Sequence, residues 1–220
     1  MGGRRALVVG DVHGCLEELL ELIDRAHLND SETLALVGDL CNKGPDSAGV
    51  VRFARKRAAL VVRGNHDERL VRAWRKGGGG KHALDAFAED DVAYLEGLPL
   101  TGTLAQRPLW RGRTRSVRLV HAALRAQGPT PAALMMNGRS LKEGELSASH
   151  EGEPWGASWP GPELVIFGHD AVRGRQEHEH AIGLDTGCCY GGALTGVILE
   201  SGKPVEWVSV PAKKAYAPVR

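Results

Sequence analysis

The sequence predicts a fold of the α/β class, on its border with α+β. In the first third of the chain, short apolar runs alternate with amphipathic segments of ten to fourteen residues, which is typical of βαβ units with parallel strands. In the second half, apolar runs are separated by glycine-rich turns, which favours antiparallel strands. The length of 220 residues is compatible with one domain, since a domain averages roughly 150 residues.

The elements of the first third follow from the spacing of apolar residues. Strands are predicted over residues 6–9, 34–37 and 60–62, and helices over residues 15–28, 47–57, 68–76 and 83–95. The glycine run at residues 77–80 predicts a mobile loop. The alternation of these elements indicates parallel strands joined by helices.

The second half is predicted to be richer in strands. Apolar runs at residues 117–120, 164–167, 194–199 and 204–210 are candidate strands, with a further apolar position at Leu184. The stretch 122–162 is rich in Gly, Pro and Ser, contains Trp155 and Trp159, and shows little periodicity. We interpret it as a loop-rich insert, either a partly ordered loop or a small helical segment, within a single domain of residues 1–220.

Composition excludes several classes of protein. A net charge of +1 with 25% charged residues fits neither a disordered chain nor a basic nucleic-acid binder, and 5% aromatic residues argue against a base-stacking surface. The sequence therefore carries no DNA-binding signal. The four cysteines (Cys15, Cys41, Cys188 and Cys189) form no C-x-x-C pair, so neither a zinc finger nor a disulfide framework is expected. For the adjacent Cys188 and Cys189 we expect a buried structural role. Apolar runs are too short to span a membrane, and no signal segment precedes the first strand, so a cytoplasmic location is expected.

Side chains of metal-ligand type follow each predicted strand. In chain order they are Asp11, His13, Asp39, Asn65, His121, His169 and Asp185. In open α/β sheets, ligands bind in the crevice outside the carboxyl ends of the strands. We therefore expect these side chains to converge on one crevice.

The first six of these residues have the chemistry of a binuclear metal site. They form an oxygen and nitrogen set without thiolate, which suits Mn, Fe, Zn or Co rather than a structural zinc. Asp11 and His13 follow one strand and can reach the same ion, while the two oxygens of Asp39 make it the natural bridge. Two ions about 3.5–4 Å apart clamp a phosphate and activate water.

Each motif taken alone also has a purely structural explanation. An Asp-x-His pair occurs often by chance, a Gly-Asn-His-Asp sequence is commonly a turn, and a buried histidine is commonly a hydrogen-bonded core residue. The spacing is what favours a metal site: Asp11 and Asp39 are 28 residues apart, and Asp39 and Asn65 are 26 apart. This interval is close to the roughly 30 residues of a βαβ unit.

Five motifs together resemble the phosphoprotein phosphatase branch of the metallophosphoesterases. They are Gly10-Asp-Val-His-Gly14, Gly38-Asp39 with Gly44-Pro45, Gly64-Asn-His-Asp67, Gly168-His169 and Leu184-Asp-Thr-Gly187. Residues 167–171 and 183–195 are most similar to the ApaH-like diadenosine tetraphosphatases. The resemblance implies a calcineurin-like metallophosphoesterase fold, with a central β-sandwich flanked by helices and a dinuclear centre.

The resemblance also implies roles for individual residues. Asp11, His13 and Asp39 match the ligands of one metal ion, and Asp39, Asn65, His121 and His169 match those of the other. His66 matches the general acid that protonates the leaving oxygen, and Asp67 of the same motif is assigned to the catalytic group. Two divalent ions per chain are implied, with manganese preferred and iron, zinc, cobalt or magnesium as alternatives.

Two residues depart from the family pattern. Asn42 stands where relatives have an aspartate that pairs with the catalytic histidine, although it could instead only cap the following turn. Lys43 stands where relatives have a phosphate-binding arginine, which keeps the charge and loses the two-pronged geometry. Arg63, Arg125 and Arg173 are candidates for further phosphate contacts, although surface roles are equally consistent. Asp185 and Tyr190 are expected near the site.

The predicted function is that of a metal-dependent phosphohydrolase acting on a small nucleotide or phosphate. Dinucleoside polyphosphates such as diadenosine tetraphosphate are favoured by the resemblance. A serine/threonine phosphoprotein phosphatase, a polyphosphatase and an RNA-cap hydrolase remain as alternatives with the same site chemistry. A catalytically silent phosphate-binding module is the alternative of a different class. A monomer is expected.

Overall fold

Two five-stranded sheets, packed face to face, form the centre of the protein in a computed structural model that describes residues 5–77 and 84–218. Its strands are β1 (Arg5–Val9), β2 (Thr33–Leu36), β3 (Leu60–Val61), β4 (Thr101–Leu104), β5 (Leu109–Trp110), β6 (Arg113–Thr114), β7 (Val117–Val120), β8 (Ser140–Lys142), β9 (Glu145–Ser147), β10 (Glu153–Pro154), β11 (Leu164–Phe167), β12 (Gln176–Glu177), β13 (Ala181–Gly183), β14 (Ala193–Glu200) and β15 (Glu206–Pro211). Its helices are α1 (Leu16–Arg25), α2 (Ser47–Lys56), α3 (Asn65–Arg75), α4 (Glu89–Glu96), α5 (Ala132–Asn137) and a 3₁₀ helix, Trp155–Ser158.

The strand order explains why the chain changes character halfway. The first sheet runs β15-β14-β1-β2-β3, and the second runs β12-β13-β11-β7-β4. Strands β1, β2 and β3 are parallel, as are β7, β11 and β13, while β14, β15, β4 and β12 pair antiparallel at the flanks. The predicted α/β class and the sandwich of two sheets are confirmed.

Alternation along β1 fixes which layer each side chain joins. Ala6 and Val8 pack between the two sheets, while Leu7 and Val9 face the layer of helices α1 and α2. All four side chains are fully buried, as the two-residue period of a strand covered on both faces requires. The result is a layered structure of helices, first sheet and second sheet.

The outer face of the second sheet is covered by the segment predicted as a loop-rich insert. This segment is ordered: it contains α5, the 3₁₀ helix and a three-stranded sheet in the order β10-β8-β9. Trp155 packs on Phe167 of β11 with ring centroids 4.9 Å apart. The small helical segment that was expected is present, and the three-stranded sheet is an addition, because strands of two or three residues are too short to show a period in sequence.

Element boundaries differ most where caps decide them. Helix α1 ends at Arg25 rather than residue 28, α4 begins at Glu89 rather than residue 83, and α3 begins at Asn65 rather than residue 68. The early start of α3 places Asn65 and His66 in its first turn. The predicted glycine loop at residues 77–80 lies outside the described residues except for Gly77. No helix in the described ranges is long and apolar enough to cross a membrane.

Candidate metal centre

The carboxyl ends of six parallel strands meet at one edge of the sandwich and line a pocket of about 930 Å³. Its wall includes Asp11, His13, Asp39, Asn65, His169 and Asp185. His121 lies directly behind them, fully buried. The predicted convergence of these seven side chains is present in the structure.

Two histidines are each held so that the lone pair of one ring nitrogen points towards the other candidate ligands. Nδ1 of His13 donates to the carbonyl of Cys41 at 2.9 Å, and Nδ1 of His121 donates to the carbonyl of Val37 at 2.8 Å. A carbonyl oxygen only accepts, so the proton of each neutral ring is on Nδ1, and Nε2 carries the lone pair with which a metal ion can be bound. This is the way in which proteins orient histidine ligands.

The first set of candidate ligands surrounds His13. Its Nε2 lies 3.5 Å from Oδ2 of Asp39 and 4.0 Å from Oδ2 of Asp11. The Lys43 ammonium donates to the same Nε2 at 2.8 Å, so a positive charge already occupies this carboxylate-rich corner. Asp11 is held in place by the backbone N–H of His169, which donates to its carboxylate at 3.0 and 3.2 Å.

The second set surrounds His121. Its Nε2 lies 3.1 Å from Oδ1 of Asn65 and 3.5 Å from Oδ1 of Asp39. Because Nδ1 carries the proton, the Nε2 lone pair faces two oxygen acceptors, and a cation bound by these atoms would stabilise the contact. Nε2 of His169 is buried and has no hydrogen-bond partner among the described residues. The donor set therefore fits a divalent cation.

Asp39 touches both sets. Oδ2 faces His13, Oδ1 faces His121, and Oδ1 also accepts the backbone N–H of His66 at 2.9 Å. The residue adopts a left-handed backbone with φ of 51°. This position between two clusters of nitrogen and oxygen atoms is the geometry that a bridging carboxylate needs.

Left-handed backbone recurs throughout the pocket. His13, Asn42, Lys43 and His169 have φ of 46°, 70°, 72° and 68°. Such values turn the chain sharply after a strand and are uncommon for residues with a Cβ. Gly168 is required for a different reason, since a Cβ there would overlap the carboxylate of Asp11.

Charge in the pocket is strongly unbalanced. Burial raises the pKa of Asp11 well above its usual value and raises that of Asp39 to about 7, and the mutual repulsion of Asp11, Asp39 and Asp185 adds to both effects. Burial lowers the pKa of His13 and His169 well below the usual value and that of His121 to about 4. The imidazoles are thus neutral at pH 7, and a bound cation would relieve the repulsion among the carboxylates.

The three predicted catalytic residues occupy different places. His66 and Asn42 line the pocket, and the Asn42 amide lies 3.2 Å from Nδ1 of His66. Asp67 is fully buried beneath them. Its carboxylate accepts the backbone N–H groups of Leu40 (2.9 Å), Cys41 (3.3 Å) and Gly64 (3.0 Å), so it ties together the loops after β2 and β3.

The pocket contains a different set of basic residues from the predicted one. Lys43 lines it, together with Tyr190, whose ring centroid is 4.9 Å from the Lys43 ammonium. Three predicted arginines are not in its wall: Arg63 is paired with Glu68 at 2.9 Å, Arg125 with Glu145 at 3.6 Å and Arg173 with Asp170 at 2.6 Å.

Arg139, which was not predicted from the sequence, also lines the pocket. Its guanidinium is anchored by Nη1 to the carbonyls of Asn137 and Ala148, at 3.4 and 3.2 Å. Nε is buried and has no hydrogen-bond partner among the described residues. No motif marks this arginine, because the insert around it brings it to the site by tertiary packing.

A β-sandwich with paired imidazole and carboxylate groups at its strand ends defines a metallophosphoesterase. The profile described as calcineurin-like phosphoesterase matches residues 4–173, which is more than half of the chain. The protein belongs to this family. The predicted family and hydrolase class are confirmed, and the divalent metals that the family uses agree with the donor set.

Two relatives indicate the branch of the family. The chain is 29% identical to bis(5'-nucleosyl)-tetraphosphatase PrpE (asymmetrical) of Halalkalibacterium halodurans, across 94% of each chain. It is 27% identical to a PrpE of Bacillus cereus that carries the same description, across 96% of each chain. The ApaH-like resemblance is thereby confirmed.

Solved structures agree with this placement. A structure described provisionally as a diadenosine tetraphosphatase is 37% identical, with a TM-score of 0.82 over 94% of this chain and 93% of that one. A serine/threonine phosphatase of Saccharomyces cerevisiae is 16% identical, with a TM-score of 0.60 over 93% of this chain and 79% of that one. The second likeness shows the fold alone.

Proposed function

We propose that the protein hydrolyses dinucleoside tetraphosphates such as diadenosine tetraphosphate, with two divalent cations, manganese first, held in its pocket. The names of the PrpE relatives support asymmetrical cleavage, which divides a dinucleoside tetraphosphate into a nucleoside triphosphate and a nucleoside monophosphate. The observation that carries the proposal is the pair of Nε2 lone pairs at His13 and His121, which face carboxylate and amide oxygens, together with the buried and unpartnered Nε2 of His169.

The proposed ligand sets are those expected from the motifs. Asp11, His13 and Asp39 would hold one cation, and Asp39, Asn65, His121 and His169 the other. Bound cations supply positive charge to the phosphate oxygens and lower the pKa of water at the site. Asp185, buried beside Asp11, would add negative charge next to the first set of ligands. Asp67 would hold the loops after β2 and β3 in position through its hydrogen bonds to their backbone.

Cationic side chains would hold the rest of the polyphosphate. The ammonium of Lys43 and the guanidinium of Arg139 both face the pocket, and each residue is partly buried, which strengthens charged hydrogen bonds to phosphate. Arg69 lies at the rim beside His66 and lines the same pocket. We assign the phosphate-binding role to Lys43 and Arg139, in place of the arginines expected from the sequence.

The partner of His66 supports an anhydride substrate over a serine phosphate. The side-chain nitrogen of Asn42 also donates to the backbone carbonyl of His66, at 3.3 Å. The atom of Asn42 that faces Nδ1 of His66 is therefore the amide nitrogen and not the amide oxygen, so Nδ1 accepts a hydrogen bond from it. The proton of the neutral ring is therefore on Nε2, where it can donate a hydrogen bond to a leaving oxygen. A nucleotide leaving group is a weak base and needs no more than that, whereas a serine alkoxide needs a full proton.

The decisive experiment is a product analysis with a panel of substrates. Diadenosine tetraphosphate, capped RNA, polyphosphate and a serine phosphopeptide would each be incubated with Mn²⁺-loaded protein and resolved by ion-exchange chromatography. The proposal expects ATP and AMP in equal amounts, with kcat/KM highest for the dinucleotide. Faster turnover of any other substrate would overturn it, and two ADP would overturn only the asymmetry.

The remaining proposals concern the state in which the protein works. Residues 1–220 would form one domain, because both sheets share one buried layer and both contribute candidate ligands. We infer a monomer, since every proposed ligand comes from one chain, and a cytoplasmic location, where nucleotides are available. Sedimentation at micromolar concentration tests the first of these two inferences, and a dimer that persists on dilution would contradict it.

A further inference from the structure

A second cluster of metal-binding side chains lies outside the pocket, at the start of α1. Cys15 immediately precedes this helix, Glu18 is in its first turn, and Cys188 lies in the loop before β14. The two sulfur atoms and a carboxylate oxygen of Glu18 lie within 4.8 Å of one another. The three residues therefore converge although 170 positions separate Glu18 from Cys188 in the sequence.

This cluster is fully enclosed. Cys15 and Glu18 are 0% exposed and Cys188 is 2% exposed. A carboxylate in such a position is costly unless its oxygens have partners. The environment of Glu18 therefore decides whether the cluster is only part of the core.

One oxygen of Glu18 is satisfied and the other is not. Oε1 accepts from the hydroxyl of Tyr216 at 2.7 Å and from the backbone N–H of Lys213 at 3.1 Å. Oε2 is buried and has no hydrogen-bond partner, and the carboxylate has no ion pair within 4 Å, among residues 5–77 and 84–218. Tyr216 and Lys213 thus fix the orientation of the carboxylate, which lies beside the two thiols, and leave its Oε2 without a partner among the described residues.

We propose that Cys15, Glu18 and Cys188 bind a thiophilic divalent cation, Zn²⁺ in the first instance. Two thiolates and a carboxylate are ligands that zinc prefers, and sulfur atoms bound to one zinc at about 2.3 Å lie about 3.8 Å apart. The N-terminus of α1 stabilises negative charge at Cys15. The cation would supply the missing partner of Oε2.

Binding would release protons. A hydrogen bond with the Cys15 thiol and burial raise the pKa of Cys188, so the Cys188 thiol is protonated when no cation is present. Zn²⁺ would replace the proton of each thiol, giving two Zn–S bonds and two protons released to solvent. The site is chemically distinct from the pocket, whose candidate ligands include no sulfur.

Cobalt spectroscopy separates this site from the pocket. The protein would be purified with a thiol reductant, stripped with a chelator and titrated with Co²⁺, because thiolate-to-cobalt charge transfer produces a near-ultraviolet band that nitrogen and oxygen ligands do not. We expect the band in the wild type, its loss in Cys188→Ser and its retention in Cys41→Ser. Cys41 is a matched control, a buried cysteine outside the cluster.

Two further measurements complete the test. Glu18→Gln keeps the size of the side chain and removes its charge, and it should weaken Co²⁺ binding at this site about tenfold or more. Zinc content should be one ion per chain lower in Cys188→Ser than in Cys41→Ser. Absence of the band in reduced wild-type protein would overturn the proposal even if no variant folds, and so would a band unchanged in Cys188→Ser.

Discussion

The side-chain amide of Asn42 donates to Nδ1 of His66 across 3.2 Å. This contact fixes the proton of the neutral ring on the opposite nitrogen, and it opposes a second proton because Nδ1 would then face an N–H group. Burial, followed by the nearby Lys43 charge, lowers the pKa of His66 to about 4. His66 is therefore a hydrogen-bond donor at neutral pH and a poor source of a full proton.

Asn42→Asp should make His66 a more effective general acid at neutral pH, because more of the ring would be doubly protonated. A carboxylate beside Nδ1 favours the doubly protonated ring and raises its pKa. The catalytic form is present below that pKa and is lost above it, so the alkaline limb of kcat should move to higher pH. Turnover of a serine phosphopeptide at pH 7 should rise about tenfold or more, while p-nitrophenyl phosphate should respond weakly.

Asn42→Ala is the control for this change, since it removes the amide N–H that opposes the second proton but adds no charge, and it should move the alkaline limb much less than Asn42→Asp does. Rate profiles measured from pH 5 to 9 decide the question, because the raised pKa of Asn42→Asp should bring its alkaline limb into this range, while that of the wild type stays below it. Superimposable alkaline limbs for wild type and Asn42→Asp would mean that Asn42 does not tune His66 and serves only the turn that it occupies.

Asp39→Asn should be the most damaging single change among the candidate ligands. The amide keeps the size of the side chain and can still accept from the His66 backbone, but it cannot share a negative charge between two cations. We expect kcat/KM for diadenosine tetraphosphate to fall about 100-fold or more and metal content to fall at both sites. Asp24→Asn, on the exposed side of α1, is the control, and wild-type metal content in Asp39→Asn would disprove the bridging role.

The stabilisation of the folded protein by Mn²⁺ against thermal unfolding should increase between pH 6 and 8. The pKa of Asp39 is raised to about 7 by burial, so metal binding must displace a proton below that pH and need not do so above it. His121, whose pKa is lowered to about 4, is already neutral in this range and adds no pH dependence. Each tenfold gain in affinity corresponds to about 1.4 kcal/mol and raises Tm by about 3–5 °C at fixed excess Mn²⁺.

Thermal unfolding with and without Mn²⁺ at pH 6, 7 and 8 measures this directly. The same experiment on Asp39→Asn supplies the control, because an amide does not titrate and the pH dependence should become smaller. An equal shift in Tm at pH 6 and pH 8 for the wild-type protein would show that no buried carboxylate loses a proton when the metal ion binds.

Arg139→Ala should weaken substrate binding, although no sequence motif marks this residue. Loss of the guanidinium that we propose contacts phosphate would remove charged hydrogen bonds, and we expect kcat/KM to fall about 10- to 100-fold. Arg125→Ala is a matched control from the same region, since its side chain is paired with Glu145 outside the pocket. Equal values of kcat/KM for the two variants would show that Arg139 does not contribute to substrate binding.

The candidate ligands could be found from sequence because each one lies within four residues of the end of a strand. A short apolar run fixes where the strand ends, and parallel strands bring those ends to one edge. Asp11, Asp39 and Asn65 were therefore predictable from order and spacing alone. The partners that hold each side chain, such as the carbonyls that orient His13 and His121, depend on contacts between distant segments and were not.

The start of α3 and the surroundings of two arginines were not predicted correctly, and each difference has a physical reason. The early start of α3 follows from Asp67, whose carboxylate accepts the N–H of Gly64 at the helix N-terminus. An acidic residue at the third helical position is a capping signal that can be recognised in sequence, but a prediction based only on the spacing of apolar residues does not include it. Arg63 and Arg173 were placed near phosphate by charge alone, yet each finds a carboxylate closer by.

The left-handed backbone of the pocket sets stability and catalysis against each other. His13, Asp39, Lys43 and His169 each hold a conformation that costs about 1–3 kcal/mol for residues with a Cβ, and glycine would relieve that cost. Glycine would also remove the side chains that we propose bind metal and phosphate. Selection of this enzyme for heat resistance alone should therefore accumulate glycines at these positions, and each gain in melting temperature there would be accompanied by a loss of turnover.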